Sequence, residues 1–469
     1  MTMLKQIPFL HMYLSNSAVL PKFRVINSYL IIVALMSFFL VPIIHAEEIS
    51  EEVRNKYETT ESTQETNDQN QEETQVPRDL SDRAPDSIPE QILEAETIKR
   101  SIIEFDPFSR IIQPWRKLNS KLRETIRLEF SLSYTALYQV ANKATEGEGK
   151  NHAAGGIWDF SGLWEVFSEN RGNPAYVGFR SSTRHRLFTD IPPSELGENI
   201  GSLWRTDGTY GENKFFISQL WWEQHLFDNK LNFRVGKIDQ SDYIDSYNFS
   251  SARLFFINSA FSSNPTISYP GNGLGATVFY QPSEFFYILS TFGDANGDSS
   301  TFDFGTFFDE REFFTGVEAG FLTNITRHGN GNYHIAIWHS DRIKKEDVPS
   351  GKGLAITFQQ QIWNEYNTFL RYSFTNGDVT DVKQLLSGGI GVYDPLHLGI
   401  DNNLFGLAFA WGEPEVNSLR SQYVIESFLR LQVFPSMQVT PDIQLIIHPS
   451  EAPDENIVAV LGMRFRIAF

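Results

Sequence analysis

Cysteine is absent from all 469 residues, which excludes disulfides, thiolate zinc sites, iron–sulfur ligation and cysteine nucleophiles. Long apolar runs are almost absent too. One stretch, YLIIVALMSFFLVPII from Tyr29 to Ile44, is apolar over 16 residues and is interrupted by Ser37 and Pro42. A spanning helix needs about 20 such residues. Lys22 and Arg24 precede the run and Ala46 follows it, so residues 1–46 read as an export signal peptide. No other segment could span as a helix, and a membrane protein made from this chain must therefore be a barrel. No basic stripe accompanies the net charge of −19, which argues against nucleic acid as a partner.

Catalytic and metal motifs are missing as well. There is no H-E-x-x-H, no G-x-S-x-G and no Walker loop. Gly271-Asn272-Gly273-Leu274-Gly275-Ala276 matches a dinucleotide fingerprint, but SNPTISYP precedes it and TVFYQP follows, so it reads as a loop entering a strand. Asp294, Asn296 and Asp298 begin like a calcium loop, yet Ser299 and Gly305 stand where Gly and Glu are required. No catalytic residue, metal site or cofactor is expected, and the chain does not read as an enzyme.

Aromatic residues are abundant: 39 Phe, 17 Tyr and 9 Trp make up 14% of the chain. A sheet wall between lipid and water needs that many rings. Residues 47–100 hold 16 acidic and 6 basic side chains. Within them, 47–88 is so poor in apolar residues that it reads as a disordered acidic linker. In 89–122, Ile92, Ala95, Ile98, Ile102 and Phe105 recur every three or four positions, the spacing of a short amphipathic helical segment. From 123 onward the period becomes two. In IRLEFSLSY, Ile126, Leu128, Phe130, Leu132 and Tyr134 face one way and Arg127, Glu129, Ser131 and Ser133 the other. The last such run, about 457–469, ends on Phe469. Sixteen runs can be placed, among them about 157–167, 230–238 and 274–280. An even count, with short and long connections tending to alternate, predicts an all-β fold: a transmembrane antiparallel β-barrel of about 16 strands over 123–469. Both termini then lie on the periplasmic side.

If the greasy faces meet lipid, the lumen receives a mixture of Arg, Glu, Gln and rings, including Arg180, Trp221, Glu223, Arg234, Glu426, Arg430, Arg464 and Arg466. A dedicated anion pore would carry rings of one sign. Mixed charges suit polyhydroxyl solutes, and they equally suit a wall stiffened by its own ion pairs.

Specific stretches resemble the carbohydrate-selective porins of the OprB type. They are Phe233-Arg234-Val235-Gly236-Lys237-Ile238-Asp239, Phe255 to Phe261 with Asn264-Pro265, and Gly293-Asp294-Ala295-Asn296-Gly297. Near the end they are Val424-Ile425-Glu426, Arg430-Leu431-Gln432-Val433 and Thr440-Pro441-Asp442-Ile443-Gln444. The resemblance covers about residues 110–469. Gln422 and Ser450 depart from it, standing where the family usually has an acid and a glycine. The resemblance implies a bacterial outer-membrane porin that passes carbohydrates down their gradient. Its partners would be carbohydrate solutes and outer-membrane lipid; contact with peptidoglycan and a homo-oligomer stay open. Two alternatives also stay open: a structural barrel anchored to the cell wall through the N-terminal segment, and a general non-selective porin.

The connection from Asp239 to Gly273 is the longest and is rich in rings, with Tyr243, Tyr247, Phe249, Phe255, Phe256 and Phe261 inside it. Exposed, these would form a large apolar patch. The resemblance implies that it folds into the lumen and narrows it. Arg234, facing Glu223 and Trp221, is then expected in the narrowest ring, with Arg180, Glu426, Arg430, Arg464 and Arg466 as further pore-lining residues.

Overall fold

A computed structural model describes residues 84–144, 150–167, 173–302, 304–325, 329–363 and 365–469. The expected export signal over 1–46, and the acidic linker up to residue 83, lie outside the described residues.

Strands β1 (Leu128–Ala141), β2 (His152–Phe167), β3 (Ala175–Arg186) and β4 (Asn213–Leu226) open the barrel. Next come β5 (Leu231–Ile238), β6 (Gly273–Ser283), β7 (Phe286–Asp294) and β8 (Phe313–Ile325). Then β9 (Gly329–Ser340), β10 (Gly351–Ile362), β11 (Tyr366–Asn376) and β12 (Val382–Tyr393) follow. The barrel ends with β13 (Leu404–Pro414), β14 (Gln422–Phe434), β15 (Met437–Ile447) and β16 (Ile457–Ala468). Each strand pairs antiparallel with its sequence neighbours, and β1 pairs with β16 from Ser133↔Ala468 to Ala141↔Val460, which closes the sheet. Closure leaves no edge, the condition for a sheet in lipid.

The two-residue period places the side chains. On β14, Gln422, Val424, Glu426, Phe428, Arg430 and Gln432 are buried in the interior, while Tyr423, Ile425, Leu429 and Leu431 alternate outward. Outward positions on other strands carry exposed apolar residues such as Trp158, Phe292, Phe321, Phe358 and Leu370. Among the described residues no helix is long and apolar enough to cross a membrane.

Two helices precede the barrel. Helix α1 (Ile88–Glu96) starts with a proline in its first turn and an acid, Glu90, beside it, both favourable at a helix N-terminus. Helix α2 (Ser109–Ile126) stops at Arg127, whose φ of 58° is left-handed. That cap takes Ile126 and Arg127 out of the period-two run, so β1 begins two residues later than alternation alone suggests. β2 instead begins earlier than expected, at His152. Its start, HAAGG, carries no strand signal because small residues are required there: a Cβ on Gly156 would lie 2.3 Å from the Tyr134 hydroxyl.

The interior is filled. The connection 239–272 between β5 and β6 (loop 3) lies inside the barrel, and the connection 187–212 between β3 and β4 (loop 2) packs onto it. Gly236 lies near the end of β5, shortly before loop 3. Its φ is +147°, and a Cβ there would sit 2.3 Å from the Leu220 carbonyl oxygen and 2.7 Å from the Trp221 Cα, both backbone atoms of β4. Gly236→Ala should therefore cost more than the ~1–3 kcal/mol of backbone strain alone. Heat-modifiable gel mobility in detergent checks this: the variant should lose its folded band at a lower temperature than the unaltered protein.

Candidate functional site

Loop 3 crosses the lumen with an apolar face packed on apolar side chains of the opposite wall. Tyr247, Phe249, Phe256 and Phe261 pack with Phe369, Leu404, Val424, Phe428 and Val460 of the β11–β16 wall. The ring centroids of Phe256 and Phe428 are 4.9 Å apart and edge-on, a favourable aromatic geometry. Inward polar side chains satisfy the loop's backbone. Glu426 accepts from the N–H groups of Ile257 and Asn258, the latter at 3.0 Å. Arg464 donates to the carbonyls of Ala252 and Phe255 at 2.8 and 2.6 Å. Arg430 donates to Leu254 O at 3.2 Å, and Gln359 accepts from Asn248 N at 2.8 Å.

A second anchor centres on Asp245. Its carboxylate accepts from Arg371, from Thr357 at 2.7 Å and from Asn264 at 2.7 Å, while its N–H donates to Glu318 at 2.8 Å. Burial pushes this carboxyl up, but the Arg371 charge and the His334 and Asn264 contacts outweigh it and hold the group well below the usual carboxylate range.

Helix α1 also lies inside. Ile88 and Ile92 join a cluster with Trp221, Ile238 and Tyr243. Glu94 pairs with Arg466 at 2.6 Å, and Arg466 also donates to Thr135 at 2.8 Å. Arg253 of loop 3 bridges Asp86 at 2.7 Å and Asp159 of β2 at 2.8 Å. Residues 84–88, linker by composition, are thus buried in the lumen, held by Arg253 and by the first apolar residue of the helix.

A cavity of about 150 Å³ remains beside loop 3. Arg180 and Arg184 of β3, with Arg253, supply cations, and Asp239, Asp242 and Asp245 supply carboxyls. Hydroxyls of Ser182, Ser218, Ser241, Ser250 and Ser263 and the rings of Phe216 and Tyr269 also line it. Burial, then the neighbouring Asp239 and Asp86 carboxyls, push Asp242 up to about 7, against the pull of Arg180 and Gln219.

Across residues 115–469 the chain matches the model of the family described as carbohydrate-selective porin, OprB family. It belongs to that family. Porin AaxA of Chlamydia abortus is 24% identical over 255 residues, 53% of this chain and 56% of that protein. Porin AaxA of Chlamydia felis is 23% identical over 357 residues, 75% and 68% respectively. The chain spans little more than half the length of the first curated relatives it matches. The structure of Pseudomonas putida OprB at high pH superposes with a TM-score of 0.61 over 76% of this chain and 97% of that one, at 14% identity, a likeness of fold.

All eight side chains expected in this porin's lumen are buried there, but most hold the protein rather than face space. Arg234 is the clearest case. It donates to Glu223 through Nε at 2.8 Å and again through Nη2, reaches the Tyr243 hydroxyl at 2.6 Å, and stacks 3.8 Å over Trp221. Glu223 also meets His225 at 2.7 Å. Arg234 is absent from the lining of the 150 Å³ cavity, because its guanidinium is spent on tying the start of loop 3 to the wall. Glu426, Arg430 and Arg464 hold loop 3, and Arg466 holds α1. Arg180 alone of the eight lines the cavity, and it also donates to the Asp86 carbonyl.

Sequence reasoning did not single out Arg253, Asp242, Asp245 or Asp86. The signal was the run Asp239-Gln240-Ser241-Asp242-Tyr243-Ile244-Asp245-Ser246, whose polar residues are spaced between the anchoring rings. Gln422, the family departure, accepts from Leu203 N of loop 2 at 2.9 Å and so secures that loop. The Asp294–Asp298 turn is occupied by the protein itself: Asn296 accepts from Lys344 N at 2.8 Å and Asp298 pairs with Lys345 at 2.9 Å. Among the described residues no cluster of acids and histidines could hold a metal.

Asp242 gives a pH test. Its ionisation is raised above the usual Asp value of about 4. The charged form therefore opposes the folded arrangement, by nothing below that pH and increasingly up to about 7. As pH rises through about 7 the cavity gains one negative charge. The reversal potential in a KCl gradient should shift toward cation selectivity between about pH 6 and 8, and Asp242→Asn should remove that shift.

Proposed function

We propose that this porin lets carbohydrates of mono- to small-oligosaccharide size cross a bacterial outer membrane passively, down their gradient. The observation that carries the reading is the composition of the cavity. Guanidinium forks, carboxyls, hydroxyls and two rings converge on one small volume. Sugar hydroxyls need donors and acceptors at close spacing to replace water, and sugar faces stack on rings. Arg184 offers a planar donor set to this volume, and the loop 3 serines and Asp239 offer acceptors. No element for coupling flux to an energy source is seen among the described residues. In this reading residues 1–46 are removed as the export signal and the acidic stretch behind them is a spacer on the periplasmic side.

A structural role is the second reading, and the placement of α1 favours it. A helix fixed in the lumen by Glu94–Arg466 and Asp86–Arg253 reduces the open section and would suit a barrel whose task is attachment.

Planar-bilayer recordings separate the two. A sugar conduit gives unitary current that maltose or glucose reduces in a saturable way, and an attachment barrel gives none. Arg184→Ala should raise the sugar concentration for half-block about tenfold, the loss of one charge-assisted hydrogen bond. Unchanged block in that variant, with a normal folded band, would remove the cavity from the pathway.

A further inference from the structure

Helix α2 carries a face that the barrel does not use. Ile112 and Asn119 point at the barrel and are buried; Asn119 donates to Phe130 O at 3.1 Å and accepts from Phe130 N at 2.8 Å, below the point where β16 ends. Beside that contact line runs a second stripe, Ile111, Trp115, Leu118, Leu122 and Ile126, at the spacing of one helix face. Ile111, Leu118 and Ile126 are 64, 50 and 47% exposed. Burying such a stripe is what drives a helix of this kind onto a surface.

Two observations name the surface. The stripe is continuous with the outer wall: the Trp115 ring meets Phe160 edge-on at 6.4 Å, and Phe160 stacks on Phe130 at 5.4 Å. Phe160 sits between the inward Asp159 and Ser161, so it faces outward, where lipid lies. The second observation is charge. Arg110, Lys117 and Lys121 occupy the polar side, none with an ion-pair partner among the described residues, while Glu124 is the only acid in the helix. Arg123 is instead committed to Glu96 and Glu129.

We propose that α2 is an interfacial anchor: it lies in the periplasmic leaflet against the barrel wall, with its apolar stripe in the acyl region and Arg110, Lys117 and Lys121 on anionic phospholipid headgroups. An amphipathic helix with cations on its polar face and Trp and Leu on the other binds lipid in this way. The proposal rests on the membrane-porin reading and adds to it a partner for the segment before the barrel.

The absence of cysteine makes the test direct. Single-cysteine variants Leu118→Cys on the stripe, Ser120→Cys on the polar side and Phe358→Cys on the outer wall are labelled with bimane in the full chain. They are reconstituted in phosphatidylethanolamine vesicles containing about a quarter phosphatidylglycerol. Nitroxides on the acyl chains should quench the 118 and 358 labels about equally and at least about fivefold more than the 120 label, with iodide acting in the reverse order. Replacing phosphatidylglycerol by phosphatidylcholine should weaken acyl quenching at 118 about twofold or more, and R110Q/K117Q/K121Q should abolish that lipid dependence. Acyl quenching at 358 with iodide quenching at 118 places α2 in water and overturns the proposal alone. Quenching at 118 by neither agent means that protein, such as a second copy, covers the stripe, which also overturns it. Failure of acyl quenching at 358 sinks the membrane reading and the anchor with it.

Discussion

Irregular backbone inside a barrel has no neighbouring strand to bond with, and where it is packed against the wall no water replaces one. This porin depends on how that deficit is met. Loop 3 runs for more than thirty residues through the lumen, and its amides and carbonyls are taken up by inward side chains of the wall. Glu426, Arg464, Arg430, Gln359 and Glu318 each bond to loop backbone. Buried charges of this sort are tolerable only when paired and hydrogen-bonded, and loop 3 supplies those bonds as much as it receives them.

That exchange makes the lumen lopsided. The β11–β16 side carries an apolar cluster that meets the rings of loop 3, with Leu203 and Trp204 of loop 2 over them, and between those contacts Glu426, Arg430 and Arg464 bond the loop backbone. The polar remainder lies toward β3 and β4, where Arg180 and Arg184 face the carboxyls of the loop. Helix α1 closes part of that remainder from within, held by apolar contact through Ile88 and Ile92 and by two ion pairs. The passage is therefore set by three inserted pieces of chain more than by the barrel's own diameter.

The barrel was legible because its cause is local. Alternation along β14 or β16 shows face, and sixteen alternating runs show closure. Errors arose where another constraint outranked the period: the left-handed cap at Arg127 ended a helix inside an alternating run, and packing around Gly156 demanded small residues in β2. The inward direction of Arg234, Arg464 and Arg466 was equally legible, but their partners were not. Whether an inward Arg meets solute, loop or helix is decided by residues 9 to 372 positions away, such as Tyr243 for Arg234, Ala252 for Arg464 and Glu94 for Arg466. Loop 2 shows the same gap. What Leu203 and Trp204 cover is set by Asn258 and Gln422, which lie far off in the chain.

The central claim is that solute and ions pass on the arginine–aspartate side of loop 3 and not behind it. Thiol modification during single-channel recording tests this most directly in a chain without cysteine. Ser263→Cys lies on the cavity lining and Val460→Cys lies under the loop against the apolar wall. A charged methanethiosulfonate reagent should step the current down in the Ser263→Cys channel and leave the Val460→Cys channel unchanged. Current reduced at Val460→Cys and untouched at Ser263→Cys would contradict the account.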